Sequence, residues 1–258
     1  MTKPDLTPRQ QQIYELVCSQ GFLTVENLAL QFDVTPQTIR KEINALASRT
    51  LVQRFHGGAG LPSSAENAAY GMRRILNHSE KRRIAREVVK HVPERASLFI
   101  NIGTTTEEVA KELVSKKGLR VITNNLHVAN ILAENEDIEV IVAGGLVRAR
   151  DRGIIGELTV DFIKQFKVDI GIIGISGIDM DGSLLDFDYR EVLVARAIIN
   201  NSRRIFLATD VSKFGRNAMV RLGHMSQVDD LFTDQAPPSY LDGVLASIDT
   251  QVHVAGFE

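Results

Sequence analysis

From Ser97 onward, short unbroken apolar runs alternate with segments of helical periodicity, and that alternation admits few folds. The runs are Leu98-Phe99-Ile100, Arg120-Val121-Ile122-Thr123, Glu139-Val140-Ile141-Val142, Ile170-Gly171-Ile172-Ile173, Arg204-Ile205-Phe206-Leu207-Ala208 and Leu231-Phe232-Thr233. A strand with one wet face alternates apolar and polar residues. Continuous Ile/Val runs instead mean burial on both faces, the environment of a mostly parallel sheet covered by helices. Helices are expected at 107–116, 126–134, 158–165, 190–201 and 238–247, giving an α/β domain.

The first sixty residues follow a different pattern. Thr7-Pro8 starts a helix with Ile13, Leu16 and Val17 on its apolar stripe, and Gly21 ends it. A second helix is expected at 24–32, with Thr24 as its cap. After only Asp33-Val34 comes a third, in which Thr35 caps the first turn and Pro36 occupies the position where a missing N–H costs nothing. Ile39, Ile43 and Leu46 recur at helical spacing and face a core. Gln37, Thr38, Arg40, Lys41 and Asn44 fall on the other faces, and these side chains can bond base edges and phosphates. Two helices, a tight turn and this outer face make a helix-turn-helix, although a small helical bundle with a solvated face has the same apolar pattern. Residues 51–60 read as a short hairpin with a glycine turn, which makes the motif winged and puts Arg54 and His56 within reach of DNA. Residues 61–78 read as a linker, and the Lys/Arg-rich helix expected at 79–92 reads as a solvated face.

At 258 residues the chain is long for one domain, so a DNA-reading domain at 1–60 and a larger domain at 79–258 are expected. The net charge of −2 supplies no global basic field, so any DNA affinity comes from local placement. The single cysteine, Cys18, excludes an intramolecular disulfide and a Cys-rich zinc site. The histidines are scattered without ligand spacing, so no metal and no cofactor are expected. With no signal peptide or apolar span in view, the sequence reads as a cytoplasmic protein that does not enter the membrane.

Ligands in open α/β sheets sit beyond the carboxyl ends of the strands. Those ends carry Gly103-Thr104-Thr105, Asn124-Asn125, Gly144-Gly145 with Arg148 behind it, Ser176-Gly177 with Asp179, and Asp210 to Lys213 with Arg216. Gly103 allows close backbone approach. The helix N–H groups and threonine hydroxyls that follow suit a phosphate, and Lys213 and the arginines add positive charge. Together with Asp186 and Glu191 these residues describe a pocket for a small phosphorylated polyol or sugar. A dinucleotide fits less well, because no G-x-G-x-x-G opens a helix after a strand and no P-loop lysine motif is present.

Thr35-Pro36-Gln37-Thr38-Ile39-Arg40 followed by Arg54-Phe55-His56-Gly57-Gly58-Ala59 resembles the N-terminal domain of DeoR-type transcriptional repressors. Ile102-Gly103-Thr104-Thr105, Thr123-Asn124-Asn125, Gly144-Gly145, Gly174-Ile175-Ser176-Gly177-Ile178-Asp179 and Ser212-Lys213-Phe214-Gly215 resemble that family's sensor domain. The resemblance spans nearly the whole chain. It departs at Arg40-Lys41-Glu42, where the family usually has Arg-Arg-Asp, and this bears on the preferred DNA sequence. The acidic position is Asp186 in Leu184-Leu185-Asp186. The resemblance implies a winged helix-turn-helix joined to an α/β sensor domain resembling sugar-phosphate isomerases. It implies binding to double-stranded operator DNA as a homodimer or homotetramer, and release by a small phosphorylated effector. Leu61-Pro62-Ser63-Ser64, 153–157 and 214–220 are most similar to family members governing glycerol and glycerol-3-phosphate metabolism genes, so glycerol 3-phosphate is the implied effector. The rival reading is a sugar-phosphate isomerase-like enzyme with a DNA-binding appendage. Asp179, Asp181, Asp186 and Glu191 could supply its general base. Glycerol 3-phosphate has no carbonyl to isomerise, and a DNA-reading domain needs sensing rather than turnover, so the repressor reading is preferred.

Overall fold

A computed structural model describes residues 6–20, 22–49, 51–55, 58–60, 70–75 and 77–256. Helices Pro8–Gln20, Val25–Gln31 and Pro36–Ser48 pack around Ile13, Val17, Leu28, Ile39, Ile43 and Leu46, all fully buried. Strands Gln53–Phe55 and Gly58–Gly60 form the hairpin. A third strand, Phe22–Thr24, which the sequence reading did not include, pairs antiparallel with Gly58–Gly60 and closes a three-stranded wing. At three residues it is too short to carry a periodicity of its own. Thr24 ends this strand and caps the next helix, its hydroxyl accepting from Asn27 N–H at 3.1 Å.

The larger domain is built on a seven-stranded, wholly parallel sheet. Its order is Gln251–Val254, Asp230–Thr233, Ser202–Ala208, Val168–Ile173, Ser97–Ile100, Arg120–Thr123 and Glu139–Val142. The chain enters at Ser97–Ile100, runs outward through the next two strands, then returns to Val168–Ile173 and runs outward the other way. The direction of winding therefore reverses between Ser97–Ile100 and Val168–Ile173. Alternate residues of the central strands enter two separate cores: Leu98, Ile100, Ile170, Ile172 and Phe206 one, Phe99, Ile173, Ile205 and Leu207 the other. Burial on both faces explains why the central strands show no apolar/polar alternation.

Three segments depart from the sequence reading. Strands Gly177–Ile178, Ser183–Asp186 and Val220–His224 form a small antiparallel sheet where loops were expected. The C-terminal helix shrinks to a turn at Ser239–Leu241 and Asp242–Leu245, and Gln251–Val254 adds an edge strand. Within the stretch read as linker, residues Tyr70–Ile75 form a helix docked on the α/β domain. The Tyr70 hydroxyl donates to Glu107 Oε2 at 2.8 Å, and Lys81 Nζ donates to the Arg73 carbonyl. Lys81 is accordingly buried instead of lying on a solvated face, and burial lowers its pKa.

Candidate functional site

Two surfaces carry the polar residues singled out from the sequence. On helix Pro36–Ser48, Thr35 caps the N-terminus: its hydroxyl accepts from Thr38 N–H at 3.3 Å and lies 3.0 Å from the Thr38 hydroxyl. Gln37, Arg40, Lys41 and Asn44 are exposed on one side of this helix, opposite Ile39, Ile43 and Leu46. Arg54 of the wing donates to Asn44 Oδ1 at 3.2 Å, joining wing and helix into one polar surface. Glu42 faces inward, accepting from Gln10 Nε2 at 2.8 Å with Arg9 3.7 Å away, and so ties this helix to the first one. His56, expected on the wing, lies outside the described residues.

The second surface is a polar cleft, open to solvent, at the carboxyl ends of Ser97–Ile100 and Val168–Ile173. This is where the sheet reverses its winding, the place where open α/β sheets bind ligands. Ile102, Gly103, Thr104 and Thr105 line one side and Gly174, Ile175 and Ser176 the other. Gly103 starts helix Thr104–Leu113, whose first-turn N–H groups and dipole favour an anion at this mouth. Asp186, Glu191, Lys213, Arg216 and Arg73 complete the lining.

The charged groups of the lining act on one another, Arg73 and Arg216 on Asp186 and Arg73 on Glu191. Asp186 Oδ1 accepts from Phe187 N–H at 2.6 Å and from the Ser176 hydroxyl at 3.0 Å. Glu191 Oε2 accepts from Arg148 at 2.6 Å. Burial pushes both carboxyls up, Glu191 to about 7, with its neighbour Asp186 adding to the effect and Arg148 opposing it. Burial also pulls Lys213 down, to about 8, against the attraction of Asp210 3.9 Å away. Burial opposes the Asp210 carboxylate as well, but Lys213, the Ser212 hydroxyl, Lys81 and Asn77 outweigh it and hold its pKa below the usual range. Asp210 also accepts from Ser212 N–H at 3.1 Å, setting the short turn Val211–Lys213 that aims the lysine.

Other residues expected at the pocket do structural work beside it and are not among its lining residues. Asn124 donates to the Ile154 carbonyl at 3.0 Å. Asn125 caps helix Leu126–Leu132 and donates to Glu107 at 3.2 Å. The Gly144 carbonyl accepts from the Thr159 hydroxyl at 2.9 Å, and Gly145, at φ 146°, leaves no room for a Cβ beside that same hydroxyl. Gly177 allows close approach of its strand to the Arg216 carbonyl, where a Cβ would stand only 2.1 Å away. Asp179 turns the adjoining hairpin, its Oδ1 accepting from Met180 N–H at 2.8 Å. Arg148 is committed to carboxylates, donating to Asp151 at 2.9 and 2.7 Å, to Asp188 at 2.8 Å and to Glu191. It reaches the cleft only through Glu191.

Arg73 is the pocket cation that the sequence reading missed, whereas Arg216 stands at a strand end named there. Arg216 had a signal, since it follows Lys213 across a turn whose Gly215 sits at φ 72°. Arg73 had none, because it lies in a stretch with linker composition and reaches the cleft only through tertiary docking.

Residues 9–65 match the DeoR-like helix-turn-helix domain, and residues 76–235 match the DeoR C terminal sensor domain. The chain belongs to the DeoR family. It is 52% identical over 248 residues to the glycerol-3-phosphate regulon repressor of Escherichia coli (strain K12), covering 96% of this chain and 98% of that one. It is 53% identical over 229 residues to the glycerol-3-phosphate regulon repressor of Haemophilus influenzae, covering 89% of each. The solved structure of ribose 5-phosphate isomerase A from Neisseria gonorrhoeae is 18% identical and covers 53% of each chain, with a TM-score of 0.39.

This DeoR-family protein is thus a DNA-binding transcriptional repressor and not an enzyme. Among its described residues no group of His, Cys, Asp and Glu is arranged to hold a metal, and no helix is long and apolar enough to cross a membrane. A pKa near 7 for Glu191 lies in the range a general base would use, which makes an activity assay informative. Purified protein should show no turnover of triose, pentose or hexose phosphates. Turnover that vanished in Glu191→Gln would overturn the assignment as a repressor alone.

Proposed function

We propose that this repressor reads operator DNA with residues 1–60 and is released when residues 79–258 bind glycerol 3-phosphate, with residues 61–78 joining the two. Thr35, Gln37, Thr38, Arg40, Lys41 and Asn44, with Arg54 and His56 of the wing, form the DNA surface. Gly103, Thr104, Thr105, Ser176, Asp186, Glu191 and Lys213 bind the effector. The observation that carries the effector reading is the convergence of a helix N-terminus with Lys213 and Arg216 in one cleft where the sheet reverses, beside a carboxyl pair suited to hydroxyl groups. The glycerol-3-phosphate regulon repressors among its relatives support the choice of polyol phosphate. The protein acts in the cytoplasm as a homodimer or homotetramer, placing its recognition helices in successive major grooves of a repeated operator.

Calorimetric titration with a panel of small phosphates tests the effector, and glycerol 3-phosphate should bind most tightly. Linkage requires operator DNA to weaken effector binding by the factor with which effector weakens operator binding. Unchanged effector affinity in the presence of operator would sink the model.

The DNA surface makes a separate prediction. Arg40→Ala should weaken operator binding by roughly 1–3 kcal/mol and flatten preference at one base position. Lys41→Ala should weaken all sequences alike and reduce the salt slope, as loss of a phosphate contact does. Effector affinity should be unchanged in both. Wild-type selectivity of Arg40→Ala across an operator library would remove that residue from the base-reading set.

A further inference from the structure

We infer that Arg73, on the helix between the two domains, is a phosphate-binding residue of the effector site and the group through which the occupied pocket holds the interdomain segment. The inference rests on the cleft being the effector site and adds a residue and a route of regulation to it.

Arg73 lines the cleft beside Lys213 and Arg216, although it lies far from both in sequence. Its guanidinium lies 5.9 Å from the Tyr70 ring centroid, feels the Asp186 and Glu191 carboxyls, and makes one long ion pair. The guanidinium reaches Asp151 Oδ2 at 3.5 Å, but Asp151 already receives two shorter hydrogen bonds from Arg148, at 2.9 and 2.7 Å. Arg73 Nε is buried and has no hydrogen-bond partner. A largely buried cation with an unused donor is costly to leave unsatisfied. A phosphate monoester at the mouth of helix Thr104–Leu113 offers the planar guanidinium the two-point contact it lacks. Asp151 loses little by the exchange, because Arg148 stays on it.

Arg73 also differs from the other pocket cations in where its backbone leads. Lys213 and Arg216 belong to the α/β domain throughout. Helix Tyr70–Ile75 immediately follows the residues leading out of the winged domain. It is held at one end by the Tyr70–Glu107 hydrogen bond and by Tyr70 stacking on His127, with ring centroids 5.3 Å apart. Lys81 already holds the Arg73 carbonyl, and a ligand gripping the Arg73 guanidinium adds a side-chain tie toward the other end of the same helix. The turn carrying Lys213 offers a second link, because helix Pro8–Gln20 of the winged domain packs against Val211–Lys213.

The test compares Arg73→Gln, Arg73→Met and Lys213→Ala with wild type. Glycerol 3-phosphate affinity is measured by calorimetry, operator affinity by gel shift, and amide exchange across residues 70–75 with and without ligand. Both Arg73 variants should bind glycerol 3-phosphate at least tenfold more weakly. They should bind operator as wild type does without ligand, and should need correspondingly more ligand to release it. Ligand should slow exchange across 70–75 in wild type and not in the variants. Arg73 variants that bind as wild type while Lys213→Ala loses binding would overturn this inference and leave the pocket reading intact. Wild-type protein that binds none of the small phosphates would overturn the pocket reading and this inference with it. If one Arg73 variant fails to fold, judged by its melting curve, the other decides the question.

Discussion

Lys213→Ala should abolish most effector binding, costing about 2–4 kcal/mol, while leaving operator binding without effector intact. The figure is that for truncating one member of a charge-assisted contact made by a largely buried lysine. Lys213 is largely buried, its turn is set by Asp210, and it faces the helix mouth at Gly103–Thr105 across the cleft. In cells the variant should repress normally and fail to respond to inducer. The pH dependence supplies a second signature. As pH rises, Glu191 ionises through about 7 and Lys213 loses its proton through about 8, so the pocket loses positive charge at both steps. Affinity for a phosphate dianion should therefore fall between pH 6.5 and 8.5, about the steps that these two groups set. In Lys213→Ala only the step near 7 should remain. Calorimetry of both proteins across that range checks the pair, and wild-type affinity in the variant would place the phosphate elsewhere.

The fold was readable where physics acts locally. The N-terminal helices follow from Thr35-Pro36 and the Ile39, Ile43, Leu46 stripe, and the six apolar runs became strands because two cores demand apolar residues on both faces. The strands that escaped, among them Phe22–Thr24, Gly177–Ile178, Ser183–Asp186, Val220–His224 and Gln251–Val254, are two to five residues long and exist because a partner strand lies beside them. The same division runs through the site. Gly103, Thr104, Thr105, Ser176 and Lys213 were legible because they follow strand ends, and strand ends point at the cleft. Asn124, Asn125, Gly144, Gly145 and Gly177 also follow strand ends but bind backbone or allow close packing. Residue type does not separate those roles, since an amide that caps a helix and one that meets a ligand read alike. Only the sheet order shows which two ends flank the reversal of winding, and strand order is a long-range property. Arg73 was invisible for the same reason, because its position depends on a docked helix.

Arg148 is where this distinction has its largest energetic consequence. It was read as an effector ligand, yet its guanidinium is spent on Asp151, Asp188 and Glu191, and these hydrogen bonds hold its own charge firmly against the cost of burial. Asp151 is 1% exposed, so its charge has no recourse to solvent. Replacing Arg148 by methionine keeps an unbranched apolar stem and removes the guanidinium with its charge. The α/β domain should lose about 3–5 kcal/mol, the cost of breaking a buried pair by deleting one partner. The dependence on pH identifies the cause. Burial raises the Asp151 and Asp188 carboxyls, but the hydrogen bonds they accept, led by Arg148 at Asp151, outweigh it and both end below the ordinary carboxylate range. A depressed carboxylate pKa stabilises the fold above the unfolded value of about 3.9, and that contribution is lost as pH falls through the folded value. Glu191 runs the other way: its raised pKa makes the folded state lose stability as pH climbs from about 4.5, its unfolded value, toward 7. Without Arg148 all three carboxyls are pushed upward. The deficit of Arg148→Met should therefore be largest near pH 7 and should shrink toward pH 4, where the carboxyls protonate instead of remaining buried charges. Urea unfolding of both proteins at pH 4.5 and pH 7 measures this, and adding Asp151→Asn to Arg148→Met should recover part of the loss at pH 7. A deficit equal at both pH values and untouched by Asp151→Asn would mean that the arginine stabilises by packing alone.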